Sequence, residues 1–154
     1  MRYFEYRHIV GFEETNVVGN VYYANHIRWQ GRCRELFLRE TVPEILEEFD
    51  HGLALVTLSV NCDYYHELGA FDELALRMSL ADLSHHRMTL RFEYWRLSEG
   101  KAKGGKAEAK GESGEVLVAR GQQELGCMGR RDGKFEPRAW PASLLEALRP
   151  YAGS

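Results

Sequence analysis

The sequence predicts an α+β fold in which an antiparallel sheet packs against helix on one face. Three observations support this class. The chain opens with one alternating segment, continues with a long and then a short segment of helical periodicity, and ends with four more alternating segments. The joints between neighbouring strands are too short for helical crossovers, so the strands should pair antiparallel. With 154 residues, the chain suits a single domain over residues 1–154.

The first strand and the long helix follow from their apolar spacing. Phe4, Tyr6 and His8 alternate with charged residues, as in a half-buried strand. A helix should start near Asn25, which can act as its N-cap, because apolar residues then recur every three or four positions. The members of this apolar face are Trp29, Cys33, Leu36 and Phe37.

The remaining elements are read from caps, alternation and turns. The Thr41 to Glu44 segment has capping-box spacing and a proline, which predicts a short helix over Ile45–Phe49. Pro141 should start a short terminal helix. Four strands are predicted, and the short joints favour a meander of adjacent hairpins among the first three. Their ranges are 53–65, 72–82, 87–97 and 116–128. Alternation puts one apolar face on each of the second and third of these strands, formed by Leu74, Leu76, Met78 and Leu80 and by Met88, Leu90, Phe92 and Tyr94.

A biased segment at about 99–114 separates the last two strands. It holds five glycines, four lysines and three glutamates among small alanines. Such a composition buries too little apolar area to offset the loss of chain entropy. We therefore expect a flexible hairpin tip.

Composition excludes several function classes. The net charge is −3, which argues against a nucleic-acid partner, and no apolar segment is long enough for a membrane span or a signal peptide, so a soluble cytoplasmic protein is expected. Three widely spaced cysteines are expected to be reduced, and the six histidines lack metal-type spacing. We expect neither a metal nor another cofactor.

The segment that joins the first strand to the long helix is the candidate site. The Gly19–Ala24 turn precedes the helix, and a helix N-terminus presents unpaired N–H groups that can stabilise an oxyanion. Asn16 has an uncharged amide, so it cannot be a nucleophile or general base, but it can donate to an oxyanion or accept from water. The alternative is that Asn16 only forms an Asx-turn at this bend.

Aromatic side chains around this segment suggest a flat, apolar binding channel. Their ring faces would suit a conjugated acyl chain, although ordinary core packing explains them equally well. The candidates are Tyr22, Tyr23, Trp29, Tyr64 and Tyr65.

The run from Thr15 to Glu35 resembles the signature of hotdog-fold thioesterases of the 4-hydroxybenzoyl-CoA thioesterase type. Most of that superfamily has an aspartate where this chain has Asn16, and in this respect the run is similar to the enediyne polyketide thioesterase branch. The positions that match the superfamily signature are Gly19, Val21, Tyr22, Tyr23, Ala24, Asn25, Arg28 and Trp29.

The resemblance implies a fold, an assembly and residue roles. It implies a hotdog fold, with the sheet wrapped around one long central helix, and a homo-oligomer, with a tetramer favoured. The backbone N–H of Tyr23, with that of Tyr22 as a second candidate, should face the thioester carbonyl, while Gly19 permits close chain approach. Arg34 should reach the substrate pocket, unless it forms only a surface ion pair. Glu35 is a candidate general base, although a solvated glutamate is the common case on a helix.

The implied activity is release of a polyene β-ketoacyl chain from an acyl carrier domain, with hydrolysis followed by decarboxylation. Two alternatives stay open from the residues. A general acyl-CoA thioesterase would meet nucleotide phosphates with its arginines, and a non-catalytic hotdog protein that binds a polyketide would explain the missing aspartate.

Overall fold

A computed structural model describes residues 2–100 and 114–153 of the chain. The predicted hairpin tip therefore lies almost entirely outside the described residues. The strands and helices follow one another in the expected order, with one strand more than predicted and with short 3₁₀ turns at Phe12–Glu14 and Arg149–Tyr151. The elements are β1 (Phe4–Ile9), α1 (Ala24–Thr41), α2 (Ile45–Asp50), β2 (Leu53–Tyr64), β3 (Glu73–Leu83), β4 (Arg87–Ser98), β5 (Val116–Arg131), β6 (Lys134–Pro137) and α3 (Ala142–Leu148).

One antiparallel sheet contains all the described strands, in the order β1-β3-β4-β5-β2, with β6 paired to the end of β5. The predicted β3–β4 hairpin is confirmed, but the predicted pairing of β2 with β3 is wrong. β1 lies along the other edge of β3, so β2 pairs instead with β5, from Leu53 opposite Gly129 to Tyr64 opposite Ala119. This places β2 at an edge of the sheet.

The sequence analysis missed strand β6. Asp132 and Gly133 both have positive φ, 52° and 77°, and form a two-residue turn that brings Lys134 opposite Arg131. The Asp-Gly pair is a hairpin signal. The strand that follows was not recognised because Phe135 is the one large apolar residue in it.

The core lies between the sheet and one face of α1. The inward faces predicted for β3 and β4 are confirmed, and Trp29, Cys33 and Phe37 of α1 are buried against them. Leu58 and Val60 of the edge strand β2 remain 40% and 41% exposed. The buried residues on β3 and β4 are Leu74, Leu76, Met78, Leu80, Met88, Leu90, Phe92 and Tyr94.

Both predicted helix caps are wrong, although the helices themselves are confirmed. Tyr23 is the N-cap of α1, and Asn25 instead donates its Nδ2 to the carbonyl of Glu14 at 2.8 Å. Thr41 belongs to the last turn of α1, where its hydroxyl donates to the Phe37 carbonyl, and α2 has Glu44 as N-cap. In each case, the polar side chain bonds to a backbone carbonyl rather than to the expected N–H groups.

A close approach between α1 and the sheet depends on Gly121. Gln30 is fully buried on α1, and its Nε2 crosses β5 to donate to the carbonyl of Asn61 in β2 at 3.0 Å. A Cβ at position 121 would overlap the Gln30 side chain and lie 2.7 Å from the Asn61 carbonyl. Only glycine leaves room for this contact.

The described residues contain no disulfide, since Cys33, Cys62 and Cys127 are all free. Within residues 2–100 and 114–153, His, Cys, Asp and Glu side chains are nowhere grouped in threes or more to hold a metal ion. No helix in the described part of the chain is long and apolar enough to cross a membrane.

Candidate active site

A tight turn precedes α1 and carries Asn16. Thr15 and Val21 form an antiparallel bridge, and inside it the Asn16 N–H donates to the Asn20 carbonyl while Gly19 N–H donates to the Asn16 carbonyl, both at 2.9 Å. Gly19 has φ +92°, which side-chain-bearing residues rarely adopt. A Cβ there would meet no described atom within 4 Å. Glycine is therefore required by backbone conformation, and the expected close chain approach is not found among the described residues.

The side chain of Asn16 forms the Asx-turn that was the alternative interpretation. Its Oδ1 accepts the N–H of Val18 at 3.1 Å. This bond fixes the orientation of the amide, and the NH₂ end has no partner among the described residues. The turn role and a donor role are therefore compatible, because they use opposite ends of one amide.

The N-terminus of α1 offers two free backbone donors. The N–H of Tyr22 is not one of them, since it donates to the Glu14 carbonyl at 3.0 Å, so its expected role as a second donor is contradicted. Asn25 N–H and His26 N–H already bond to the carbonyls of the two tyrosines. The N–H groups of Tyr23 and Ala24 have no partner in the described ranges. The helix dipole adds partial positive charge at this end.

A cleft of about 330 Å³ opens beside this helix end, and we call it the tyrosine cleft. The hydroxyl of Tyr64 donates to the Tyr23 carbonyl at 2.8 Å. Burial raises the pKa of Tyr64 to about 12, so its phenol stays a hydrogen-bond donor. Tyr22 packs on Tyr23 with ring centroids 4.7 Å apart. The lining residues are Asn20, Val21, Tyr23, His26, Tyr64, Tyr65, His66, Glu67 and Leu68.

His26 lines this cleft, although it was not among the site residues predicted from the sequence. It is 3% exposed, and neither ring nitrogen has a hydrogen-bond partner of good geometry in the described structure, although the Tyr23 backbone lies close enough to oppose part of the effect of burial on its pKa. Its ring lies among those of Tyr64, Trp29 and Tyr94, at centroid distances of 4.6, 5.1 and 5.4 Å. Burial lowers the pKa of His26 to about 4, so the imidazole is neutral. The sequence did contain one signal for its burial, because His26 lies three residues before Trp29 and therefore on the apolar face of α1.

A second cleft, of about 400 Å³, lies on the other side of α1, and we call it the glutamate cleft. The Glu14 carboxylate accepts from Gly11 N–H at 2.8 Å and from Trp29 Nε1 at 2.7 Å, and it lies 2.7 Å from His8 Nε2. Burial alone would raise the pKa of Glu14, but these hydrogen bonds lower it below the usual value. The lining residues are Tyr6, His8, Glu13, Glu14, Asn25, Arg28, Trp29, Arg32 and Glu35.

Two predicted site residues lie in the glutamate cleft, apart from Tyr23. Trp29 is 3% exposed and held by Glu14, so it packs in the core rather than lining the tyrosine cleft. Glu35 is exposed and pairs with Arg32 at 3.2 Å. The structure therefore brings Tyr23, Tyr64 and Tyr65 together beside the Asn16 turn, and it separates Trp29 and Glu35 from them.

Arg34 lies farther along α1. Its Nη1 donates to Oε1 of Gln123 on β5 at 3.0 Å, and burial lowers its pKa from the usual value. Eleven helical residues separate it from Tyr23, a rise of about 16 Å. The sheet gives a similar distance, since Gln123 is four residues from the Ala119 that pairs with Tyr64, or about 13 Å. Within one chain, Arg34 and Tyr23 are far apart.

Comparisons with known proteins identify the family and the fold of this chain. The family model of the thioesterase-like superfamily matches residues 10–148. The chain is similar to the dynemicin thioesterase, whose crystal structures concern induced-fit and allosteric effects upon polyene binding, with 40% identity, 99% coverage of both chains and a TM-score of 0.86.

Two further solved structures are similar. A hypothetical protein from Aquifex aeolicus is 25% identical, with a TM-score of 0.74 over 95% of this chain and 99% of the other. A mutant 4-hydroxybenzoyl CoA thioesterase complexed with 4-hydroxybenzoyl CoA has a TM-score of 0.75 at 16% identity, over 96% and 99% of the two chains, which shows a shared fold. These likenesses confirm the predicted hotdog-like α+β fold. The chain belongs to the thioesterase-like superfamily, and its chemistry is thioester hydrolysis.

Proposed function

We propose that this thioesterase releases a polyene β-ketoacyl chain from an acyl carrier domain in enediyne polyketide biosynthesis. The observation that carries the proposal is the likeness to the dynemicin thioesterase along the full chain, at 40% identity. That protein binds a polyene. The geometry supports the proposal, because the free N–H groups at the start of α1 lie beside a cleft with exposed tyrosine rings.

The proposed first step is hydrolysis at the tyrosine cleft. Water adds to the thioester carbonyl carbon, and the negative charge that develops on oxygen is stabilised by the N–H of Tyr23 and the amide NH₂ of Asn16. The C–S bond then breaks, and the thiol of the carrier leaves with a proton. The product is a β-keto carboxylate, which loses carbon dioxide to give an enolate, and the enolate takes up a proton to become a methyl ketone.

The proposed acyl site uses the exposed aromatic rings. Tyr22 and Tyr23 are 47% and 63% exposed, while Tyr64 and Tyr65 are 45% and 48% exposed. A conjugated chain is flat and apolar, so it gains by lying against such rings. Gly19 supports this arrangement by setting the turn that leads into Tyr22.

We propose that Arg34 stabilises the enolate formed when carbon dioxide leaves. The β-keto oxygen lies only about 3 Å from the thioester carbonyl, whereas Arg34 of the same chain is about 16 Å along α1 from Tyr23. We therefore propose that the Arg34 that contacts the enolate in the tyrosine cleft comes from a second copy of the chain. The exposed edge of β2, with Leu58 and Val60, is the surface that such a homo-oligomer would cover.

A complementation experiment tests this shared site. Asn16→Ala and Arg34→Gln proteins, each of low activity, are unfolded together, refolded as a mixture and assayed. Mixed oligomers should regain activity, because some sites contain both an intact Asn16 and an intact Arg34. Each variant refolded alone is the control. A mixture no more active than its components would contradict the shared site.

The proposed substrate is tested by mass spectrometry of products. The pure protein is mixed with a polyene β-ketoacyl chain loaded on a carrier domain, and in parallel with the same chain on coenzyme A. Fast appearance of the decarboxylated polyene from the carrier supports the proposal. Preference for the coenzyme A thioester would identify a general acyl-CoA thioesterase, and tight binding without turnover would identify a polyketide-binding protein.

A further inference from the structure

None of the residues predicted for the site from the sequence offers a proton acceptor for the attacking water in the tyrosine cleft, where His26, His66 and Glu67 are the lining residues able to take a proton. Asn16 is uncharged, and its Oδ1 is already used by Val18 N–H. The Glu14 carboxylate lies in the glutamate cleft and is bound by three partners, while Glu35 is exposed there and paired with Arg32. None of these groups can take a proton beside Tyr23.

His26 has the chemistry that the cleft requires. It lies in the first turn of α1, within three residues of the free Tyr23 N–H, and it lines the same cleft. Both ring nitrogens are buried without a hydrogen-bond partner in the described structure. Buried polar groups are nearly always hydrogen-bonded, and exceptions call for an explanation. A water or substrate atom bound at the ring would satisfy them.

We propose that His26 is the general base of thioester hydrolysis. One ring nitrogen takes a proton from water as the water oxygen bonds to the thioester carbonyl carbon. The tetrahedral intermediate then collapses, the C–S bond breaks, and the imidazolium returns the proton to the departing sulfur. Water thus supplies its hydroxyl to the acid and its proton to the thiol, and His26 ends neutral, as it began.

Of the three rings around His26, only that of Tyr64 is exposed, so we infer that access to the imidazole depends on movement of Tyr64. The Tyr64 ring covers His26 edge-on, it is 45% exposed, and its hydroxyl donates to the Tyr23 carbonyl and also interacts with Cys62. Rotation of this ring toward solvent would open the imidazole to the cleft. Burial keeps the pKa of His26 at about 4, and entry of water would relieve that desolvation and make the nitrogen a better acceptor.

Glu67 is the competing base in the same cleft. Its carboxylate is exposed and accepts from Asn20 Nδ2 at 3.3 Å. Because a carboxylate is intrinsically basic enough for this role, the experiment compares Glu67 directly with His26.

The test uses His26→Phe, which keeps a ring for packing but removes both nitrogens, and His26→Ala, which leaves space for added imidazole. We expect kcat to fall roughly a hundredfold in both, with KM little changed, and imidazole to restore activity to His26→Ala alone. The matched control is His85→Phe, which changes an exposed turn residue, and Glu67→Gln tests the competing base. Thermal unfolding of each variant checks that it is folded.

A folded His26→Phe protein with kcat within about twofold of wild type would overturn the proposal, and so would imidazole that fails to rescue His26→Ala. A full loss in Glu67→Gln with none in His26→Phe would transfer the role to Glu67. If His26→Phe does not fold, the imidazole response of His26→Ala decides the outcome.

The inference rests on the thioester hydrolysis of the proposed function, so the assay uses both the carrier-bound polyene and a short acyl-CoA. If wild type cleaves only the acyl-CoA and His26→Phe loses that activity, the polyene assignment fails while His26 stands. If wild type cleaves both and His26→Phe keeps both, only the His26 role fails. A wild-type protein that cleaves neither would overturn both.

Discussion

The two clefts on either side of α1 contrast in how their polar groups are satisfied. In the glutamate cleft, the Glu14 carboxylate has three partners, and its backbone carbonyl accepts from Tyr22 N–H and Asn25 Nδ2. In the tyrosine cleft, His26 has two unpartnered nitrogens, and the N–H of Tyr23 is free in the described structure.

This contrast indicates that the polar groups of the glutamate cleft support the fold, and we propose that those of the tyrosine cleft take part in the reaction. Satisfied polar groups rigidify a structure, whereas unsatisfied ones are costly and are retained where a ligand will complete them. Glu14 ties β1, the turn and α1 together, and so holds the helix N-terminus in position. On the other side of the same helix, the Tyr23 N–H and, once Tyr64 moves, the His26 ring are the groups that we propose meet substrate and water.

The largest expected effect is at Asn16, where Asn16→Asp separates its two roles. An aspartate keeps the oxygen that accepts Val18 N–H but loses the NH₂ donor, so the fold should persist while kcat falls roughly a hundredfold or more. Steady-state kinetics on a thioester and a thermal melt make the measurement. Asn16→Ala should lose the same activity and also some stability, and wild-type turnover by a folded Asn16→Ala protein would contradict the donor role.

The next largest effect is expected on the free energy of unfolding at acidic pH. Its measurement tests whether His26 is buried and neutral. Between its ordinary pKa of 6.5 and its folded pKa of about 4, the unfolded chain binds a proton at His26 that the folded chain does not. The free energy of unfolding should therefore fall as the pH drops through this window, by up to about 3 kcal/mol from this group. Urea unfolding of wild type and His26→Phe from pH 7 to pH 4 provides the comparison. Parallel curves would show that His26 does not titrate differently on folding.

A smaller effect is expected in the glutamate cleft. Glu14→Gln removes the charge that His8, Trp29 and Gly11 N–H all contact, and should cost about 2 kcal/mol of stability. Glu13→Gln is a matched control, because Glu13 is exposed in the same 3₁₀ turn. Urea midpoints measure both. A loss of activity in Glu14→Gln without a loss of stability would argue against a purely supporting role.

The smallest effect is expected at Glu35. Its ion pair with Arg32 is exposed on both sides, and such pairs are worth about 0 to 1 kcal/mol. Glu35→Gln should keep wild-type kcat and nearly wild-type stability. A large loss of kcat would instead restore Glu35 as a general base and would extend the reaction into the glutamate cleft.

Local patterns predicted β3, β4 and α1 well, because each of these elements shows its buried face in its own sequence, whereas β6 has no buried face and was missed. Alternation in β3 and β4 identified their core residues, and the spacing of Trp29, Cys33 and Phe37 identified the face of α1. The partner of β2 could not be predicted in this way. Strand pairing depends on competition between distant segments, and here β1 occupied the edge of β3 that β2 would have used.

The candidate site residues also differ in how far the sequence alone could indicate them. Asn16, Gly19 and Tyr23 lie within one short run, so a sequence motif was sufficient to propose them as candidates. The open nitrogens of His26 depend on which rings surround it, and Tyr64 and Tyr94 come from β2 and β4. The separation of Arg34 from Tyr23 likewise required the length of α1 and the register of β5.

The hydrogen bond from Gln30 to Asn61 couples the helix mechanically to the edge strand. Tyr64 lies three residues beyond Asn61 on β2, and His26 lies one turn before Gln30 on α1. A shift of α1 along its axis would therefore displace β2, and a displacement of β2 would move the Tyr64 ring that covers His26. Gly121 makes this contact sterically feasible, and its lack of a side chain thereby allows α1 and β2 to move together.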